Sequence, residues 1–205
     1  MQITPGDFTD SRVVDLLHYH LTTARAQTAP GSAHALDLSG LQSPDIAFWT
    51  AWHGEALVAV GALKQLSRDH GEVKSMHTVP TARRKGVGGA MLQHIIAFAR
   101  SRGILRLSLE TGSWDYFQPA VALYRRYGFV ECPPFADYVP DPNSIFMTLD
   151  LRKQDAPARR GNFSWRELPG ESRKARHGRP AAGHRKRAWE SARGPAPRRW
   201  WDHLE

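Results

Sequence analysis

The apolar and polar positions of this chain repeat with two periods, and the places where the period changes mark its elements. Val13, Val14, Leu16, Leu17 and Leu21 recur at helical spacing behind the capping residues Asp7 and Asp10, which predicts a first helix. Residues 1–3 before it fit a short edge strand. Residues 46–52 and 56–66 read as strands joined by the turn His53-Gly54-Glu55, and residues 67–71 make a second turn. Residues 72–79 follow as a third strand, ended by Pro80. Links this short cannot make parallel crossovers, so residues 46–79 form an antiparallel meander. Met91, Leu92, Ile95, Ile96, Phe98 and Ala99 then share one face of a helix from about Gly88 to Arg102, with Gly103 as a stop signal. A strand over 105–111 completes a strand–loop–helix–strand unit, long enough to link parallel neighbours. A second helix spans 118–127, with Pro119 near its start and Gly128 past its end. Strands over 129–132 and 145–151 close the pattern around a proline-rich loop, 133–143. The elements predict an α/β fold (α+β mixed sheet), flanked by helices.

Two stretches depart from this periodicity. Residues 28–41 are rich in Pro, Gly, Ser and Ala, with Ala35-Leu36-Asp37-Leu38 as a short helix, and read as a connector or as a wall over a site. Past Leu151 only Leu168 and Leu204 are branched aliphatics, so residues 152–205 lack the apolar content to offset their ordering entropy. Two units are therefore expected, a folded domain over 1–151 and a disordered tail over 152–205. Trp165, Trp189, Trp200 and Trp201 stand out in that tail as contact points.

Charge sharpens the division. The chain carries a net +8 at pH 7, but 15 Lys and Arg face 6 Asp and Glu from Arg152 onward, against 13 and 14 before it. The basic character belongs to the tail and says nothing of nucleic-acid binding by the domain. Basic residues interleaved with tryptophan would suit a polyanion, so nucleic acid enters only as a partner of the tail. The single cysteine, Cys132, rules out an intrachain disulfide and reads as a small core residue. No run approaches a membrane span, and residues 1–10 lack a signal pattern, so a cytoplasmic setting is expected. His18 and His20 lie two apart on the first helix, face different ways, and read as solvated or capping rather than as metal ligands.

The stretch with the most chemistry is Arg83-Arg84-Lys85-Gly86-Val87-Gly88-Gly89, set between a strand and a helix. Glycines allow a tight turn and close approach, and the first amides of the helix lack internal partners at its positive dipole end. Such a place attracts phosphate, and arginine can grip phosphate with two hydrogen bonds. A P-loop would need Gly-Lys-Ser/Thr, and a dinucleotide fingerprint would need a glycine at Met91; neither is present.

What fits is Arg/Gln-x-x-Gly-x-Gly/Ala, here Arg83-x-x-Gly86-x-Gly88, preceded by Thr78-Val79-Pro80. A second motif, Ala120-x-x-Leu123-Tyr124-x-x-x-Gly128-Phe129, follows in the expected order and separation. Together they resemble the GNAT family, the GCN5-related N-acetyltransferases, over about residues 1–151. Glu110-Thr111-Gly112 and Phe135-Ala136-Asp137-Tyr138 look like a bacterial subgroup without assigned substrates. The resemblance implies the GNAT acyl-CoA N-acyltransferase fold, a central twisted mixed sheet with its fourth and fifth strands splayed around acetyl-CoA. The pyrophosphate would meet Arg83, Arg84, Lys85, Gly86, Val87, Gly88 and Gly89. The pantetheine arm would pair with the backbone of Met76, His77 and Thr78, where an amide would polarise the thioester carbonyl.

An acceptor amine must be neutral to attack a thioester, so a base is useful, as is a proton donor for the departing thiolate. Tyr124 matches the family tyrosine that faces the sulfur. Glu72 stands at the spacing of the catalytic glutamate in the histone-acetylating branch, and Glu110 is its rival from the next strand. His77 could shuttle a proton. The expected activity is direct transfer of acetyl from acetyl-CoA to a primary amine of a small molecule or peptide, without metal, membrane or acyl-enzyme, and with room for a homodimer. The alternative is a non-catalytic acyl-CoA-binding module.

Overall fold

The meander is the backbone of the molecule. The computed structural model describes residues 1–29 and 36–153. Strands β1 (Gln2–Pro5), β2 (Ile46–His53), β3 (Ala56–Gln65) and β4 (His70–Thr78) pair antiparallel in sequence order. β5 (Arg106–Gly112) joins β4 in parallel, β7 (Ser144–Asp150) lies antiparallel on β5, and the short β6 (Val130–Glu131) sits at the outer edge. The order in the seven-stranded sheet is β1-β2-β3-β4-β5-β7-β6. Helix α3 (Val87–Ser101) is the crossover between β4 and β5.

Each face of the sheet takes its own helix. On one face α3 buries Met91, Leu92 and Ile95 against Val73, Leu107 and Leu109. Each such side chain contributes on the order of 1.5–3 kcal/mol by leaving water. Gly61 of β3 lets α3 come close, because a Cβ there would lie 2.8 Å from Met91 Cγ. On the other face α1 (Ser11–Ala26), capped by the Asp10 side chain, buries Val13, Leu16 and Leu17 over Phe48, Val60 and Ala62.

Some boundaries differ from the pattern reading. The third strand begins at His70, two residues early, because its start pairs with β5. Helix α2 (Leu38–Leu41) lies just past Asp37, whose side chain accepts from the Gly40 amide and so fixes the start there. The strand expected over 129–132 shrinks to β6, because Phe129 belongs to the end of α4 (Gln118–Arg126). Its N–H closes on the Tyr124 carbonyl at 3.1 Å while Gly128 adopts φ +88°. Cys132 is half-buried rather than in the core. The tail from 154 on and residues 30–35 lie outside the described residues.

One feature of the sheet positions everything else. β4 and β5 pair only at His70↔Arg106, Gly71↔Leu107 and Glu72↔Ser108. Beyond Glu72 the strands part, although β4 runs on to Thr78 and β5 to Gly112. At the same level the β3–β4 register slips between Val60 and Ala62, and Ser75 adopts φ +50°. A bulge of this kind bends its strand.

Candidate active site

The parting strands open a cavity of about 570 Å³. Its floor is the free edge of β4 from Val73 to Thr78, and its far wall is Glu110, Thr111 and Gly112 of β5. The N-terminus of α3 closes one end, and Leu123 and Tyr124 of α4 close the side. All four elements come from the regions that carried chemistry in the sequence.

The phosphate loop is built as its residues require. Gly86 caps α3 in the left-handed region at φ +78°, where an L side chain is strained. The first helical bond at this end runs from the Ala90 amide to the Gly86 carbonyl, at 3.0 Å. The amides of Val87, Gly88 and Gly89 therefore lie ahead of the hydrogen-bonded turn. All three residues line the cavity, with Arg83 and Arg84. The two other glycines serve different ends. A Cβ on Gly88 would stand 3.4 Å from Leu123 Cδ2 and Thr78 Oγ1, an ordinary contact at the cavity wall. A Cβ on Gly89 would lie 2.6 Å from the Tyr127 hydroxyl, so that glycine makes room for α4. Arg83 is pinned, its Nε donating to the Thr78 carbonyl at 3.2 Å and a terminal nitrogen to the Tyr116 hydroxyl at 3.4 Å. Lys85 is half-buried and does not line the cavity.

The strand edge and the side wall carry the remaining predicted residues. Met76, His77 and Thr78 all line the cavity, and His77 and Thr78 pair with Val60 and Ala59 of β3. Their opposite edge faces the gap, where β5 has already diverged. Two buried polar atoms on this floor lack a hydrogen-bond partner among the described residues, Ser75 Oγ and His77 Nε2. An orphaned buried polar group is costly, and both belong to residues that line the cavity. Tyr124 is buried and lines the wall; burial, and after it the charge of Glu110, raises its pKa, so the phenol holds its proton.

The two carboxylates differ. Glu110 lines the cavity and accepts from Ser144 Oγ at 2.7 Å. Glu72 is 3 % exposed and is not among the lining residues. Its Oε1 accepts from Lys74 Nζ at 3.0 Å and from the Tyr138 hydroxyl at 2.6 Å, and Lys74 also donates to Tyr138 at 2.7 Å. Lys74, rather than Glu72, reaches the cavity wall. The pKa of Tyr138 is raised by burial first, then by Glu72 and, more weakly, by Glu110, so this cluster lies within electrostatic reach of Glu110.

Sequence reasoning missed Lys74, Tyr138 and His20. Lys74 follows Glu72 by two residues on one strand face, a signal that was present. Tyr138 comes from the loop after β6, and only the fold joins it to β4. His20 is not a solvated helix residue. Its Nδ1 lies 3.2 Å from His77 Nδ1, one ring donating and the other accepting, and both rings line the cavity. Burial lowers His20 to about 4; burial, then His20 and Arg83, lower His77 to about 3. His18 is exposed. Among the described residues no group of three His, Cys, Asp or Glu is placed to hold a metal ion, and no helix is long and apolar enough to cross a membrane.

Comparison with known proteins identifies this arrangement. A sequence profile of the acetyltransferase (GNAT) family matches residues 15–129. The uncharacterized N-acetyltransferase YsnE of Bacillus subtilis is 51% identical over 151 residues, covering 74% of this chain and 100% of that protein. The uncharacterized N-acetyltransferase YedL of Escherichia coli is 45% identical over 149 residues, 73% of this chain and 94% of its own. A Klebsiella pneumoniae crystal structure assigned to the acyl-CoA N-acyltransferases superposes with a TM-score of 0.62 at 30% identity, covering 73% of this chain and 97% of that one. These relatives favour a transferase over the non-catalytic module. A parted β4–β5 pair, a glycine-started helix aimed into the gap and relatives that are N-acetyltransferases along nearly their whole length lead to one conclusion: the chain belongs to the GNAT family and is an acetyltransferase.

Proposed function

We propose that the cavity holds acetyl-CoA and a primary amine together, and that transfer between them is direct. The observation that carries this reading is the early parting of β4 and β5, which leaves a strand edge, a helix N-terminus and a buried phenol facing one space. The amides of Val87, Gly88 and Gly89, with Arg83 and Arg84, would bind the pyrophosphate. The free edge of Met76, His77 and Thr78 would hold the pantetheine arm as an added strand. The bound thioester supplies the acyl group. Lys85 would act from outside the cavity, as a neighbouring cation only.

Glu110 fits the role of base better than Glu72. It lines the cavity and influences Tyr124, whereas Glu72 is covered and already accepts two hydrogen bonds. Glu110 would take a proton from the incoming ammonium, directly or through water. The amine nitrogen then bonds to the acyl carbon, the carbon–sulfur bond breaks, Tyr124 gives its proton to the departing thiolate, and the proton shed by the new amide nitrogen restores the phenol. Burial keeps Tyr124 protonated, so its O–H is in place to donate to the sulfur as negative charge develops there. Glu72 takes no part in the transfer and is engaged with Lys74 and Tyr138.

The test is release of free thiol from acetyl-CoA with a panel of primary amines, run beside calorimetry with acetyl-CoA. Binding with turnover supports the reading. Tight binding with no turnover on any amine would return the non-catalytic alternative.

A further inference from the structure

Lys74 is a charge with no part in the transfer just described. Its side chain is 8 % exposed, it sits on the cavity wall, and it stands beside the splay. A buried ion pair seldom adds stability over an apolar pair of the same volume, so Glu72 and Lys74 are poorly explained as a structural device. An ammonium has three N–H donors. Two go to Glu72 Oε1 and the Tyr138 hydroxyl, neither of them on residues that line the cavity. The third N–H has no partner among the described residues, and Lys74 itself borders the cavity, which makes it the donor open to a ligand there.

The position of Glu110 completes the pattern. Glu72 and Ser108 form the last β4–β5 pair, and Lys74 and Glu110 are the residues two further along each strand. Side chains two apart on a strand share a face. A cation and an anion thus stand on opposite lips of the gap, both on the cavity wall. Glu110 lies on the Tyr124 side, where the transferred group must be. Ser144 holds Glu110, and Glu72 and Tyr138 hold Lys74, so both charges are fixed in place.

We propose that the acceptor is amino acid-like: its amine lies against Glu110 and Tyr124, and its carboxylate takes the remaining N–H of Lys74. This rests on the reading that the cavity holds acetyl-CoA and an amine. Glu72 behind Lys74 offsets its charge, so the carboxylate is recognised mainly by a directed hydrogen bond. Such a bond to charged groups is worth on the order of a tenfold to hundredfold preference.

The experiment uses the full chain with a panel of α-amino acids, each paired with the amine left by removing its carboxylate. Thiol release from acetyl-CoA gives kcat/KM for both members of each pair. Calorimetry with acetyl-CoA is run in parallel on every protein used. The expected result is at least one pair in which the amino acid exceeds its amine by about tenfold or more. In Lys74→Met, an apolar replacement of similar length, that ratio should fall to about 1 while acetyl-CoA affinity is kept. Acetyl-CoA binding with equal rates within every pair, with amines preferred, or with no turnover of either member, overturns the inference and leaves the coenzyme reading standing. So does a ratio unchanged in Lys74→Met. Absence of acetyl-CoA binding would instead overturn the reading beneath it.

Discussion

The two ends of the cavity are made of different material. The end proposed for the coenzyme is backbone: amides ahead of the first turn of α3, a left-handed glycine at φ +78°, and the unpaired edge of β4. The opposite end is side chains, Lys74 held by Glu72 and Tyr138 from outside the cavity, Glu110 with Ser144, and His20 with His77. A backbone site needs particular residues only where a side chain must be absent, so it leaves a short, fixed motif. A side-chain site needs partners from several elements and leaves little local trace. The first kind can serve one ligand across many sequences. The second is where chains of one family can differ in what they accept.

Breaking the backbone end should cost most. Gly88→Val should fold, since a Cβ there meets only ordinary contacts, but its methyls would stand in the cavity. Loss of two charge-assisted hydrogen bonds to the pyrophosphate predicts a fall in acetyl-CoA affinity on the order of 100-fold. Calorimetry on a variant with unchanged circular dichroism checks this, and wild-type affinity would remove the loop from the coenzyme site. Next in size is Tyr124→Phe. It should lower kcat on the order of 100-fold with acetyl-CoA affinity kept, as removal of a proton donor does. Retained turnover would leave Tyr124 as a packing residue.

The carboxylates sharpen the contrast within the acceptor end. Glu110→Gln should lower kcat on the order of 100-fold, with little change in melting temperature. Glu72→Gln should do the reverse. It leaves Lys74 buried without its counter-ion, which costs on the order of 3 kcal/mol of stability. Thermal unfolding beside initial rates separates the two, and a kinetic loss confined to Glu72→Gln would exchange their roles.

A smaller effect belongs to the histidine pair. Both rings are held neutral in the fold, at about 4 and about 3, while the unfolded chain takes up protons near 6.5. The unfolded state therefore binds more protons between those values, and stability must fall as pH drops from about 6.5 towards 4. Melting temperatures across that window should decline less steeply in His20→Phe than in wild type. Identical slopes would show that the pair is not kept neutral by burial. The smallest effect is expected from the tail. We propose that residues 152–205 are independent of the domain, so truncation after Arg152 should leave melting temperature and acetyl-CoA affinity nearly unchanged. A truncated chain that does not fold would contradict this.

How far the sequence could be read follows the same division. The meander, the α3 crossover and the loop were legible because period, turn residues and glycine spacing are local signals. Gly89 was readable as part of the loop but not as the space for Tyr127, since that contact joins α3 to α4. Glu72 stands at the family spacing, yet spacing cannot report that Tyr138 covers it. His20 looked solvated because only the packing of α1 over β4 brings it to His77.

The central claim is that backbone groups at one end of the cavity bind the coenzyme, and amide hydrogen exchange with and without acetyl-CoA tests it directly. Exchange should slow at Val87, Gly88 and Gly89, and within Met76, His77 and Thr78 at the amides that face the gap rather than β3, where partners are gained on binding. Saturating acetyl-CoA with unchanged exchange at both segments would contradict the account.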